Sequence, residues 1–473
     1  MTALPAETTI NTSHVRHWIV ASGALICMIA GSVPLSGLSF FHPYIFLKMG
    51  PGSEQNVAQG SILLYFTLLM LSIVASMMFI GGPMLPKLGT KWLMIIGASI
   101  VAAALVIFWQ ATTPVMLYVA GIVMGLGYGI SYQLVPIVWV NNWFVARKGL
   151  VVGLVTGGTG LGGILWSFIV PGIGGNPADA ATYDPDAYRF GYLVMAVVVL
   201  GLTIPATLFL AIERPSQVGL TPLGAPSPGS MAAATDLAKP VAGFTFPQAM
   251  RSPWLWLVFS ASVLLGIVHG AAQIMAPYLT AQWTSPVPDG MGKAVTMYST
   301  AMMVWTLGLL VLKPTLGVLN DKFGVLIAMT ITLGMQAAFF LFLPRYASMG
   351  NSVGVWLPLI AMLFMSAGMS NGTVEPPLLT ATAVGQKAFG KIWSVTGSAY
   401  VLGMALGAPI WGLFYNAQEK SYDSGFLLAP FALAAVIVLG VLGMNRGRAQ
   451  HLKLYEAELA DYERERGVTA PAS

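Results

Sequence analysis

Twelve apolar segments, each close to the roughly 20 residues that an α-helix needs to cross a bilayer, divide this chain of 473 residues. Only 8% of the residues are charged, whereas a soluble domain carries about 25%. Backbone groups in lipid must pair within their own segment, so these segments are predicted to be transmembrane helices of an all-α membrane protein. They lie near 18–40, 60–82, 92–110, 115–140, 149–172, 190–212, 254–280, 294–317, 325–343, 354–380, 391–414 and 426–444.

The placement of the basic residues predicts the orientation of these helices. With the N-terminus inside, most Lys and Arg residues fall on the cytoplasmic side, and Lys313 alone falls within a helix. This bias predicts cytoplasmic termini in a multi-pass protein of the cytoplasmic (inner) membrane. The net charge of +5 is explained in this way, so no nucleic-acid partner is expected.

Two loop motifs recur along the chain at nearly the same offset. The stretch Gly81–Lys91 has a counterpart in Gly317–Gly324, and the basic pair Arg147-Lys148 is followed at a similar separation by Lys387. Such self-similarity predicts an internal repeat of six helices. The predicted organisation is a disordered N-terminus (1–13), an N-terminal half (14–213), a cytoplasmic linker (214–250), a C-terminal half (251–446) and a cytoplasmic tail (447–473).

Two short segments flank the C-terminal half. Residues Phe244 to Arg251 are predicted to form a surface helix that places Phe244, Phe246 and Met250 on the membrane. The charged stretch from Arg446 to the end is expected to be a solvated helix.

Lys313 and Glu375 are ionisable residues well inside predicted helices, where an unpaired charge costs a few kcal/mol. Counting along each helix from its loop puts both at similar depth, which makes an ion pair plausible. One interpretation is a static salt bridge. The other is functional: Lys313 binds a substrate carboxylate, and Glu375 exchanges a proton or releases Lys313 when the substrate arrives.

Other polar side chains within the apolar segments are weaker candidates. His269 and Gln273 are four residues apart and share a helix face, although a hydrogen-bonded core histidine is an equally good interpretation. His42 suits either proton coupling or a place at the outer membrane interface. The remaining candidates for the substrate site are Tyr44, Tyr128, Tyr132, Asn371 and Tyr400.

No catalytic constellation is present in the sequence, so an enzyme is not expected. Gly158 to Gly163 contains a Gly-x-Gly-x-x-Gly pattern, but a dinucleotide site needs a preceding strand and a following acid. Small residues let helices approach closely, which is the better interpretation. No His or Cys cluster has metal-ligand spacing, Cys27 is the only cysteine, and no cofactor is expected.

The loop Gly317-x-Leu319-x-Asp321-Lys322-x-Gly324 resembles the short cytoplasmic loop of the major facilitator superfamily. The resemblance implies 12 helices in two six-helix halves, with a substrate site between the halves near the midplane. It also implies that Gly317, Asp321, Lys322 and Gly324, together with Arg147 and Lys148, brace the cytoplasmic gate.

Three stretches resemble the monocarboxylate transporter and oxalate/formate antiporter group: Asn142 to Gly163, Glu213 to Leu220 with Phe246 to Arg251, and Lys313-Pro314-x-x-Gly317. The last has lysine where the group commonly has an arginine that binds the carboxylate, so the charge is kept and the bidentate geometry is lost. Tyr44 stands where mammalian members place a lysine, and the interior of the eleventh apolar segment, after Lys391 at its cytoplasmic end, has no lysine.

The resemblance implies a secondary transporter of a small organic anion, with a single cation that suits a monocarboxylate, working by proton symport or anion exchange. A monomer is expected. Two alternatives stay open. One is a proton-driven exporter of amphipathic compounds, for which 26 methionines provide an adaptable pocket. The other is a receptor or scaffold that binds a ligand without moving it.

Overall fold

The described part of every one of the twelve apolar segments is largely helical in the computed structural model, which describes residues 12–50, 53–174, 186–225, 241–275, 278, 290–349, 356–416, 418 and 421–465. The α-helices are α1 Thr12–Ala30, α2 His42–Met49, α3 Gln59–Ala75, α4 Gly82–Gln110, α5 Pro114–Ile130, α6 Val135–Trp143, α7 Lys148–Gly174, α8 Phe190–Pro205, α9 Phe246–Arg251, α10 Pro253–His269, α11 Gly290–Phe323, α12 Val325–Met349, α13 Trp356–Val384, α14 Phe389–Gly412 and α15 Asp423–Glu465. Among the described residues, eight helical stretches are long and apolar enough to span a membrane. The chain is therefore an all-α multi-pass membrane protein.

Several predicted spans are interrupted helices. The fourth predicted span is divided into α5 and α6 by a turn at residues 131–134. Pro136 lies in the first turn of α6, where it cannot donate a backbone hydrogen bond and its ring would collide with the carbonyl of Tyr132 in a continuous helix. The first span also departs from α-geometry, because the π-turn Val33–Gly37 and the 3₁₀-turn Leu38–Phe41 join α1 to α2.

The backbone repeats as the sequence predicts. Gly89 (φ 73°) and Gly324 (φ 81°) occupy matching turns after the second and eighth spans, and both have the left-handed conformation that glycine adopts most easily. The turns before α7 and α14 also correspond in length, with Phe144 to Arg147 matching Gly385 to Ala388, but the positive φ falls on Arg147 (55°) in the first turn and on Gly385 (72°) in the second.

The linker contacts the same end of both halves, which we name the linker end. Leu223 bridges Phe144 in the turn before α7, and Gly243 bridges Gly385 in the turn before α14. The predicted membrane contact of Phe244 is wrong, because its side chain is only 1% exposed and packs edge-on against the ring of His451. Linker residues 226–240 lie outside the described residues.

Both chain ends are described only in part. Residues 1–11 of the predicted disordered N-terminus lie outside the described residues, and α1 begins at Thr12. At the other end α15 continues without interruption from Asp423 to Glu465, through the predicted boundary at 446. This tail is less solvated than expected, because Nδ1 of the buried His451 lies 2.9 Å from the carbonyl oxygen of Ala383. Residues 466–473 lie outside the described residues.

The two halves pack against each other along two helix pairs. The more extensive pair is α7 with α11, and the second is α3 with α14. Lys313 lies on α11 in the first of these contacts, so the fold places a cation at the junction of the halves.

Candidate functional site

Lys313 is held by the opposite half of the molecule. Its side chain is only 3% exposed, and Nζ donates to Thr159 Oγ1 at 2.7 Å and to the carbonyl oxygen of Thr156 at 3.1 Å, both on α7. The Thr159 hydroxyl in turn donates to the same Thr156 carbonyl at 2.9 Å. The buried ammonium group thus bonds to two neutral oxygens, and no salt bridge to a carboxylate is formed among the described residues.

Glycines on α7 let the backbone carrying Lys313 come close. A Cβ on Gly153 would be 2.9 Å from Pro314 Cα, and one on Gly160 would be 2.7 Å from the Leu310 nitrogen. Larger residues would force the helices apart and move the Thr159 hydroxyl away from Lys313. The glycine run at 153–163 therefore serves helix packing, in agreement with the sequence analysis.

Glu375 lies apart from Lys313, so the suggested ion pair is not formed in this structure. Its Oε1 accepts from Asn320 Nδ2 at 2.7 Å, and its Oε2 is buried without a hydrogen-bond partner. Asn320 follows Lys313 by seven residues, or about 10 Å along α11. Counting from the loops overestimated the depth of Glu375. It lies nine residues before the end of α13 at Val384, yet it bonds to Asn320, which is only three residues before the end of α11 at Phe323.

A polar network inside the C-terminal half joins two of the predicted residues. His269 Nδ1 lies 3.0 Å from the Tyr400 hydroxyl, and its Nε2 lies 3.1 Å from Gln336 Oε1. The amide oxygen of Gln336 can only accept, so Nε2 carries the proton and Nδ1 accepts from Tyr400. This arrangement satisfies a neutral imidazole. The sequence analysis missed Gln336, whose signal is a single glutamine in the apolar segment 325–343.

Two other predicted residues lie near this network. The Asn371 side-chain amide donates to Thr332 Oγ1 at 2.9 Å, and Tyr400 packs against Gly372, the residue after Asn371. Gln273 donates to the carbonyl of Met404 at 3.4 Å. The candidates on the C-terminal half are thus largely bonded to other parts of the same half.

The aromatic candidates of the N-terminal half contact other residues of the same half. Tyr132 bonds to Thr203 Oγ1 at 2.7 Å, and its ring centroid lies 5.5 Å from that of Tyr128, whose buried hydroxyl has no partner. The Tyr44 ring packs against Gly174 at the far end of α7. That position is fifteen residues beyond Thr159, or roughly 22 Å along the helix.

His42 belongs to the same outer region as Tyr44. Its Nε2 lies 2.7 Å from the Tyr65 hydroxyl, and its ring stacks on Phe46. The structure therefore groups His42 and Tyr44 at the end opposite the linker, away from Lys313.

At the linker end, Asp321 binds the N-terminus of α7. Its Oδ1 accepts from Gly149 N at 2.9 Å, and its Oδ2 accepts from Leu150 N at 2.8 Å. First-turn amides lack partners within their helix, and a carboxylate satisfies them and complements the helix dipole. We name this interaction the Asp321 clamp. Gly317 crosses Gly149 beside it so closely that no Cβ fits at either position.

A second set of contacts joins the halves next to the clamp. Lys148 donates to Asn141 Oδ1, Asn141 donates to Gln386 Oε1 at 2.5 Å, and Nζ of Lys148 lies 5.5 Å from the centroid of the Phe389 ring. Sequence reasoning missed Asn141 and Gln386, which carry no motif. By contrast Arg147 and Lys322 are exposed, and a Cβ on Gly324 would meet no atom within 4 Å.

The fold and the site define a multi-pass helical carrier with an interface between two halves. The family model of the Major Facilitator Superfamily matches residues 20–282, which is more than half of the chain. The chain therefore belongs to this superfamily and is a membrane transporter.

Relatives and solved structures agree with this family. The chain is 22% identical over 431 residues to the oxalate:formate antiporter of Oxalobacter formigenes, covering 89% of this chain and 91% of the relative. It is 23% identical over 366 residues to monocarboxylate transporter 12 of Homo sapiens, covering 74% of this chain and 66% of the relative. The proton:xylose symporter XylE bound to 6-bromo-6-deoxy-D-glucose has the same fold, with a TM-score of 0.65, 13% identity and coverage of 90% and 95%.

Proposed function

We propose that this protein transports a small organic anion, a monocarboxylate, by alternating access, and that Lys313 binds the carboxylate. The observation that supports the proposal is the burial of Lys313 and the identity of its hydrogen-bond partners. Lys313 is buried between the two halves and bonds only to neutral oxygens of α7. A buried cation without a carboxylate partner is energetically costly, and a bound anion would offset that cost.

The names of two relatives support the same substrate class. One is an antiporter of oxalate and formate and the other is a monocarboxylate transporter, so both names specify small carboxylates. Lys313 is the only buried Lys or Arg among the described residues. A second carboxylate on the substrate would have no comparable partner there, which favours a monocarboxylate over a dicarboxylate.

The coupling ion is proposed from Glu375. Its free oxygen Oε2 is buried, and a carboxyl group without a cationic partner is stable there when it holds a proton. Proton symport through Glu375 and exchange of two anions are both compatible with this site. His42, bonded to Tyr65, is a second candidate for proton transfer on the opposite side. We further propose that the protein is a monomer of the cytoplasmic (inner) membrane with both termini in the cytoplasm.

Thermal stabilisation of the purified protein by a panel of small carboxylates and their neutral amides tests the proposal. A ligand at 100 times its Kd stabilises the native state by about 2.7 kcal/mol. We expect one monocarboxylate to raise the unfolding temperature of the wild type and of Lys453→Gln, which removes an exposed lysine of α15 far from the site. The Lys313→Gln variant should lose this response, and counterflow in vesicles loaded with the same anion should be lost with it.

Other outcomes would overturn the proposal. Equal stabilisation of Lys313→Gln and wild type would exclude Lys313 as the ligand. Stabilisation by uncharged or cationic lipophiles alone would favour the exporter. Binding of a carboxylate without counterflow would indicate a receptor.

A further inference from the structure

Thr159 fixes the direction of the Lys313 ammonium group. An ammonium has three N–H donors, and two of them are occupied by Thr159 Oγ1 and the carbonyl of Thr156, which are on adjacent turns of α7. Both acceptors belong to α7, so the third N–H is left without an acceptor among the described residues.

The Thr159 hydroxyl can hold this position because its own proton is already used. Oγ1 donates to the Thr156 carbonyl at 2.9 Å, which turns its lone pairs toward Lys313 Nζ at 2.7 Å. Thr159 itself is buried on α7, in the half opposite to Lys313. A flexible lysine side chain would otherwise adopt several rotamers, and ordering it would reduce the free energy available for binding an anion.

We propose that Thr159 is a positioning residue that sets substrate affinity by aiming one free N–H of Lys313 at the carboxylate. This inference rests on the proposed function of Lys313. With one N–H available, the site accepts one carboxylate oxygen, which also accounts for a lysine here in place of the forked arginine of the resembling group.

The test compares three variants of hydroxyl residues next to Lys313. Thr159→Val keeps the shape of the side chain and removes the acceptor, while Thr159→Ser keeps the acceptor. Thr315→Val is the matched control, because Thr315 is two residues from Lys313 but is exposed and donates only to the carbonyl of Val311. Transport of the stabilising monocarboxylate is measured in vesicles as KM and maximal rate, together with the unfolding temperature without ligand.

We expect Thr159→Val to raise KM by about 10-fold, the size of one hydrogen bond to a charged group, with an unchanged maximal rate. Thr159→Ser should restore the wild-type KM, and Thr315→Val should not change it. If Thr159→Val does not insert in the membrane, Thr159→Ala removes the same acceptor with less bulk.

One result would overturn this inference and leave the proposed function standing. In that result Lys313→Gln strongly changes KM, whereas Thr159→Val and Thr159→Ala keep the KM of the wild type. A lower unfolding temperature with unchanged KM would also overturn it, since that outcome indicates packing alone. If Lys313→Gln binds and transports the carboxylate like the wild type, the proposed function fails first and this inference fails with it.

Discussion

The N-termini of α7 and α14 occupy matching places in the two halves, yet they meet different chemistry. The first-turn amides of α7 donate to the Asp321 carboxylate from the opposite half. At α14 the N-cap residue is Ala388, which offers no side-chain acceptor, and Gly390 faces Leu85. Pro86 follows Leu85 at the place that Asp321 occupies in the other copy.

The two contacts therefore join the halves by different kinds of interaction. The Asp321 clamp depends on direction and charge, so it breaks when the helices move by more than a hydrogen-bond length. The contact of Gly390 with Leu85 is apolar and has no preferred direction, so it tolerates sliding. We infer that the α7 side holds the linker end closed and that the α14 side accommodates movement.

The largest expected difference between the two sides is steric. A Cβ on Gly149 would be 2.5 Å from the Gly317 oxygen and 2.7 Å from Asp321 Oδ1, whereas one on Gly390 would meet the flexible end of Leu85 at 2.8 Å. Gly149→Ala should lower the free energy of unfolding by about 1–3 kcal/mol through overpacking, and Gly390→Ala by less. Thermal unfolding measures both, and because each variant gains the same helix propensity, equal effects would contradict the comparison.

Removal of the clamp carboxylate should have the next largest effect. Loss of such a helix cap costs about 0.5–2 kcal/mol, so Asp321→Ala should open the linker end about 10-fold more often. Opening is measured as labelling of Ser394→Cys in a Cys27→Ser background. Ser394 is 1% exposed and contacts Gly82 of the other half.

The variant Asp321→Asn is the control for that experiment, since it keeps one neutral acceptor and should give an intermediate labelling rate. An unchanged rate in Asp321→Ala would mean that the clamp does not hold the linker end closed.

The smallest expected effect comes from copying the clamp to the other side. Pro86→Asp places a carboxylate near the N-terminus of α14, where an anion contributes about 0.3–1 kcal/mol. Labelling of Ser394→Cys should then be slower by about two- to fivefold. A rate equal to that of Pro86→Ala, which removes the proline without adding a charge, would show that the contact at Leu85 cannot be converted into a clamp.

The sequence predicted the helices and their repeat well because these depend on local properties. Segment length and apolar composition determine a transmembrane helix, since lipid offers no other partner for the backbone. The turn at Gly324 was predictable for a similar reason, because glycine readily adopts φ of 81°. Lys313 was likewise detectable as a rare charge in an apolar segment.

The partners of these residues were decided by tertiary structure. Lys313 bonds to Thr159, which is 154 positions away in the chain, and Glu375 bonds to Asn320 rather than to Lys313. Thr159 and Asn141 carry no motif, so they could not be selected in advance, whereas Gln336 stands out only as a single glutamine in an apolar segment. The sequence alone determined which residues must find a polar partner in lipid. The packing of α11 against α7 and α13 decided which partners Lys313 and Glu375 find, because hydrogen bonds depend on distances that only the folded chain defines.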